Sequence, residues 1–374
     1  MSVVRAFAPG RSELAGNHTD HQGGRVIAAA VSCGVEVIVR ASGTERAHLE
    51  SPGFEPVDLD VTDSAAREGE RNTTAALVRG VIAGLHDAGV PVEGFDAAVT
   101  STVPAGGGLS SSAAFELALA VALCCAADRE LPAMDLARIG QRAERDYFGK
   151  PCGLMDQAAI AFGGVNLFDF ACDPVSAERI DFDFGACGHA LCLIDTHCDH
   201  SAYTDEYAQV ARDMTAVAQF LGADRLSQIA EGEFLDRLGS VRAHMGDAPA
   251  LRGLHYYHEM RLVDARAEAL RQGDFEAFLA ATRQSGASSA QYLQNVSTFD
   301  RASQPAMVAL ALADVLLAGQ GAVRIHGGGF GGTVQAFVPT SQLAPFCEAV
   351  DAQLGVGSCQ VYDIVSEGAH AQRM

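Results

Sequence analysis

Residues 103–123, VPAGGGLSSSAAFELALAVAL, leave a chain few ways to fold. The alternating stretch FDAAVTSTV reads as a strand, three glycines follow, and an alanine- and leucine-rich helix is expected from about Ser110 to Ala127. Glycine lets the backbone turn tightly and come close to a ligand, while a helix start presents unpaired N–H groups and the positive end of its dipole. Together these make a phosphate cradle, with Ser110, Ser111 and Ser112 as hydroxyl donors or magnesium ligands. The alternative is a connection that merely joins a strand to a helix. No G-K-[ST] follows the glycines and no G-x-G-x-x-G opens the helix, so neither the Walker loop nor the Rossmann fingerprint is present.

Bulk properties narrow the classes further. At 374 residues the chain exceeds what one hydrophobic core usually supports, and two packed domains are expected. Its formal charge of -21, with no basic run, argues against nucleic acid and anionic membranes as partners. A small anionic ligand remains compatible, because backbone N–H groups and a few buried arginines bind phosphate whatever the global charge. The ten cysteines include no C-x-x-C pair and read as small buried thiols of a reducing cytosol. MSVVRAFAPG lacks the apolar core of a signal peptide, and the apolar run Leu117 to Ala127 is too short to span a bilayer. A cytoplasmic protein is expected.

Along the chain, VVRAFA and RVIAAAVSCGVEVIVRA read as strands with PGRSELAGNHTDHQGG as a long connection, a length that usually marks function. TTAALVRGVIAGLHDAG reads as a helix ending on Gly89, and MDLARIGQRAERDYFG as another. VNLFDF and ALCLID read as strands flanking a loop-rich stretch at 171–188. Helices are expected at roughly 205–222, 232–247, 252–271 and 274–286, before the strand-forming pieces AVRIHG, TVQAFVP and CQVYDIV. The boundary is expected to leave two α+β halves, 1–187 and 188–374.

Three further stretches carry chemistry. GNHTDHQGG gathers His18, Asp20 and His21 between glycines and could be a metal site, a catalytic cluster or a polar turn. RIHGGGFGGTVQAFVP places five glycines within Gly327–Gly332, between two strands. In KPCGLMDQAAIAFGG, Asp156 lies early in a short helix among apolar neighbours, where a carboxylate must pair or shift its pKa.

PGRSELAGNHTDHQGG, PAGGGLSSSAA and HGGGFGG, in that order over nearly the whole chain, resemble the three signature motifs of the GHMP small-molecule kinases. The first, with PCGLMDQ, is similar to the galactokinase branch, whose usual form reads P-G-R-x-N-L-I-G-E-H-T-D-Y-x-x-G. The resemblance implies an α+β, two-domain GHMP kinase fold: an N-terminal mixed sheet with packed helices, a C-terminal α+β domain, and the active site in the cleft between them. It implies ATP as co-substrate, Mg2+, and phosphorylation of the C1 hydroxyl of α-D-galactose by a monomer or weak homo-oligomer. Carried over by motif, Asp156 is the catalytic aspartate and Arg11 its partner near the transferring phosphoryl group. Asn17, His18, Asp20, Gly153 and Tyr207 contact the sugar. Gly106, Gly107, Gly108, Ser110, Ser111 and Ser112 form the phosphate loop, and Ser111 and Glu144 the magnesium shell. The chain departs from the usual form at Asn17, where glutamate is usual, at His21 for tyrosine, at RSEL for RVNL, and in having no tryptophan. The alternatives are a GHMP kinase for another hexose or an amino sugar, and a regulator that binds galactose and ATP without turnover.

Overall fold

The computed structural model describes residues 3–374 except 105–106, 199–202, 299, 301 and 331. Its organising element is β2 (Arg25–Ala41), whose valines and isoleucines suit a strand buried on both faces. One flank of β2 carries β1 (Val3–Ala15), antiparallel over almost its whole length. The other flank is shared: residues 35–41 pair with β5 (Phe95–Ser101), and residues 25–29 with β6 (Val165–Asp169), both antiparallel. Beyond β5 lie β3 (Arg46–Glu50), parallel to it, and β4 (Val57–Asp60); β7 (Ser176–Arg179) pairs with β6. The eighth strand is β12 (His370–Arg373), which returns to pair with residues 4–7 of β1.

PGRSELA is therefore strand and not connection. Register shifts at Pro9/Gly10 and Glu13/Ala15 let β1 bend and continue along β2, which puts Arg11 and Glu13 on a rigid element. The true connection is only Gly16–Gly24, a short turn around His18.

Helices α1 (Thr74–Asp87), α2 (Ser111–Ala126), α3 (Ala133–Arg142) and α4 (Met155–Phe162) cover one side of this mixed sheet. The flanks of α2 are buried from Ala113 to Cys124, as expected of a helix apolar all round, and it packs on β1, β2 and β12. A single π-helical turn, Ala143–Phe148, follows α3 and carries Glu144.

A second, antiparallel sheet has the order β11-β8-β10-β9, formed by β8 (His189–Asp195), β9 (Ala322–Ile325), β10 (Thr333–Pro339) and β11 (Cys359–Tyr362). Four helices expected from periodicity fall close to their places: α5 (Thr204–Leu221), α6 (Glu231–Met245), α7 (Asp247–Gln272) and α8 (Phe275–Ser288). Two more, α9 (Pro305–Leu317) and α10 (Leu343–Leu354), escape a reading by pattern. PAMVALALADVLL has no polar face, so its periodicity does not separate helix from strand. No helix of the described residues is long and apolar enough to cross a membrane.

The thiols of Cys192, Cys347 and Cys359 meet within the core of the smaller sheet. Burial and neighbouring thiol contacts push Cys347 up to about 12 and Cys359 higher still, so they pack as neutral groups.

Two fully buried ion pairs join β1 to the rest of the chain. Glu259 of α7 pairs with Arg266 and accepts from the Gly16 N–H at 3.1 Å and the Ser285 hydroxyl at 3.0 Å. Arg266 also donates to the Leu14 carbonyl at 3.1 Å. Arg324 of β9 donates to Glu13 Oε1 at 2.8 Å and to the Glu13 carbonyl at 2.6 Å. Burial alone would raise Glu259, but Arg266, His255 and Arg324 bring it down to about 2. Replacing Arg266 by Met strands that carboxylate, and urea unfolding should show a loss of about 3–5 kcal/mol. The double replacement Glu259→Met/Arg266→Met should recover much of this; a double variant no more stable than the single would refute the pairing argument.

Candidate active site

Arg11, on the strand, and Asp156, in the first turn of α4, meet as a two-pronged ion pair. Nε donates to Oδ1 and Nη2 to Oδ2, each at 2.7 Å. The remaining guanidinium nitrogen, Nη1, donates to the Gly108 carbonyl, and the Ser110 hydroxyl donates to Asp156 Oδ2. Burial would raise the Asp156 pKa, but the charge and hydrogen bonds of Arg11, then the Ser110 hydroxyl and Lys150, hold it at about 2. The carboxylate is thus ionised and fixed in direction at neutral pH.

This pair borders a cavity of about 410 Å³ between the two glycine-rich loops. On one side stand Gly107, Gly108, Ser110, Ser111 and Ser112 at the start of α2. Gly108 has φ of 67°, and Ser110, with φ of 59°, adopts the left-handed conformation that side chains rarely take. Gly106 lies outside the described residues. On the other side stand Gly327, Gly328 and Gly329, with Tyr207 against Gly328 so closely that a β-carbon would collide with its ring. The floor includes Asp20 and Gly153, again without room for a β-carbon between them.

The turn after β1 divides its duties. Asp20 lines the cavity, and burial together with the nearby Asp156 charge pushes its pKa up to about 6. His18 also reaches the cavity, but its Nε2 lies 3.0 Å from the Gly328 carbonyl and its ring rests on Tyr207, with centroids 5.1 Å apart. His21 Nε2 lies 3.4 Å from His18 Nδ1. Burial, with some like-charge repulsion, lowers His18 to about 3 and His21 to about 4, so both imidazoles are neutral. Among the described residues, His18, Asp20 and His21 do not converge as metal ligands.

Asn17 does not face the cavity. It is fully buried, donates to the Gly327 carbonyl and accepts from Asn295 Nδ2 at 2.9 Å, and its own carbonyl lies 2.9 Å from His255 Nε2. Its side chain ties the turn to the second glycine loop.

Glu144 is likewise buried and does not line the cavity. Its Oε1 accepts from the Ser112 hydroxyl and from Lys150 Nζ, both at 2.9 Å, and its Oε2 from Gln157 at 2.8 Å. The serine that meets Glu144 is Ser112; Ser111 faces the cavity.

Sequence reasoning missed Glu13, Lys150 and Thr333, all at the cavity wall. The signal for Glu13 was present, because RSEL carries a carboxylate two residues after Arg11, on the same face of an extended strand. Burial raises the Glu13 pKa against the pull of Arg324.

The chain matches the family model of the GHMP kinases N terminal domain over residues 76–164, and that of the galactokinase galactose-binding signature over residues 2–41. It is 34% identical over 372 residues to a galactokinase of Streptomyces coelicolor, covering 97% of this chain and 92% of that protein. A galactokinase of Mycobacterium tuberculosis is 32% identical over 357 residues, with 93% and 92% covered. The fold is similar to that of a Lactococcus lactis galactokinase crystallised with galactose, with a TM-score of 0.83 and 25% identity over 98% of this chain and 94% of that one. A mevalonate kinase shares the fold at a TM-score of 0.68 and 15% identity, with 97% of this chain and 99% of that one covered.

The raised pKa of Asp20 has a sign that can be tested. Its contribution to stability is full below its ordinary value of 3.8 and is lost as pH rises through about 6. Asp20→Asn should therefore raise the melting temperature of the ligand-free protein increasingly between about pH 4 and about pH 7. A difference that does not change with pH would contradict the shift.

Proposed function

Because the chain belongs to the galactokinase family of GHMP kinases, we infer that it transfers the γ-phosphoryl group of ATP to the C1 hydroxyl of α-D-galactose. The observation that carries the reading furthest is the Arg11–Asp156 pair at the meeting point of both glycine loops.

The chemistry asks for little covalent help. Phosphoryl transfer needs in-line positioning and neutralisation of charge on the equatorial oxygens. The N–H groups at the start of α2 and the Gly107–Gly108 backbone cradle phosphate oxygens, with Ser110, Ser111 and Ser112 beside them. Asp156 accepts the hydrogen bond of the sugar hydroxyl and orients its lone pair. With a pKa of about 2 it is a weak base, so the proton reaches Oδ late, once bonding to phosphorus has acidified the hydroxyl. Arg11 keeps the carboxylate ionised and lies where charge gathers on the moving phosphoryl group. Asp20, Glu13 and the Gly153 backbone read sugar hydroxyls, His18 and Tyr207 close the wall, and Asn17 positions the turn without touching the sugar.

Mg2+ prefers hard oxygen ligands; Ser111 and Ser112 offer hydroxyls at the cavity wall, and Glu144, which lies behind Ser112 and already accepts from Lys150 and Gln157, would join them only by exchanging one of those donors for the ion. Bound there, the ion would neutralise phosphate charge. Lys150, already on Glu144 Oε1, supplies a fixed cation at the same edge. The reading also takes residues 1–187 and 188–374 as two units flanking the cleft, corrected in that residues 370–373 return to the sheet of the first; it takes the ten free cysteines as those of a cytoplasmic protein, and the chain as a monomer or weak homo-oligomer.

ADP release should be measured with ATP and a panel of hexoses, and the product identified by phosphorus NMR. Galactose should be turned over to its 1-phosphate. Asp156→Ala should lower kcat by about 10²–10⁴ while galactose binding persists. Turnover of another sugar with none of galactose would overturn the substrate, and ATP binding without any turnover would favour a regulator.

A further inference from the structure

Two buried polar atoms over the phosphate loop have no hydrogen-bond partner among the described residues: His326 Nδ1 and Thr333 Oγ1. Their residues are only 3% and 4% exposed. Both atoms face Gly108, where a β-carbon would lie 3.3 Å from Nδ1 and 3.4 Å from Oγ1. The carbonyl of that glycine is the one held by Arg11, and Thr333 itself lines the cavity. Unsatisfied groups of this kind destabilise a fold, and two of them aimed at one loop call for an explanation.

The position of the imidazole proton follows from its neighbours. Arg324 Nε donates to Gln335 Oε1 at 3.0 Å, which turns the amide NH2 of Gln335 toward Ser12. That NH2 donates to Ser12 Oγ at 2.9 Å, and Ser12 Oγ lies 3.1 Å from His326 Nε2. A hydroxyl has one proton, and among the described residues that of Ser12 has one remaining neighbour to give it to. Nε2 is thus the acceptor, and the neutral ring carries its hydrogen on Nδ1. A chain of donors running from an arginine that never loses its charge makes Nδ1–H a donor aimed at Gly108.

We propose that His326 Nδ1–H and the Thr333 hydroxyl form a two-donor seat for an oxygen of the γ-phosphoryl group of a nucleoside triphosphate, supplied by the C-terminal half of the chain. The inference rests on the kinase reading above. A phosphoryl oxygen is an anionic acceptor with more than one lone pair, which suits two converging donors beside a guanidinium. Through this seat the second sheet distinguishes triphosphate from diphosphate.

Titration calorimetry with the β,γ-imido analogue of ATP and with ADP tests the seat without turnover. Thr333→Val, which keeps the shape and removes the hydroxyl, should reduce the preference for the triphosphate about tenfold, with ADP and galactose affinities unchanged. His326→Ala should do the same. His326→Asn, whose amide N–H falls near the position of Nδ1, should keep most of the preference, whereas His326→Gln, which reaches toward Ser12 instead, should not. An unchanged preference in Thr333→Val overturns the proposal, and that variant decides alone if the His326 variants do not fold. Equal losses for both nucleotides, a loss confined to galactose, or rescue by Gln and not by Asn would each also overturn it. If the parent protein phosphorylates no sugar yet shows a triphosphate preference that these variants abolish, the kinase reading fails and the seat stands.

Discussion

The site depends on buried charges that hold one strand. Residues 12–16 of the first strand and the turn after it are gripped by Glu259 and Arg266 from a helix and by Arg324 and Gln335 from the second sheet. An ion pair out of water gains little over a well-packed apolar contact, but it loses heavily if either partner is misplaced. That asymmetry suits a strand whose job is to aim Arg11, because a displaced strand would separate Glu13 from Arg324 and take from Glu259 and Arg266, paired within one helix, the Gly16 N–H and the Leu14 carbonyl. The machinery of the larger sheet is thus indexed to the smaller one through contacts that tolerate no slippage.

On that frame the electrostatics separate cleanly. Asp156, with a bidentate arginine, is an obligate acceptor, whereas Asp20, with no cation against it, sits near the middle of the accessible pH range. Two carboxylates along one cavity therefore differ by several units because only one has a partner. The imidazoles of the turn are neutral by burial and serve as spacers between the turn and the second glycine loop.

Much of this was legible in the sequence. The strand–glycine–helix of the phosphate loop, the short helix bearing Asp156 and the four helices between 204 and 288 follow from periodicity and from glycine placement. What the sequence hid were matters of partnership. PGRSELA looks like a loop because of its proline and glycine, yet the register shift at Pro9/Gly10 absorbs them within the strand. Asn17 looks like a ligand because of its motif, but which way an amide points depends on Asn295 and Gly327, hundreds of residues away. Glu144 reads as a metal ligand, and only the fold shows Lys150, Ser112 and Gln157 already on it. His326 carries no signal at all until Ser12 and Gln335 fix its tautomer.

The return of residues 370–373 to the open edge of the first strand has a meaning for biosynthesis. Almost the whole chain must leave the ribosome before that edge is covered. During that interval the strand that carries Arg11 is a bare template for pairing with other nascent chains, and the glycine-rich face beside it has no second sheet to meet. The first sheet therefore cannot be completed, nor the site assembled on it, until residues 370–373 have been made.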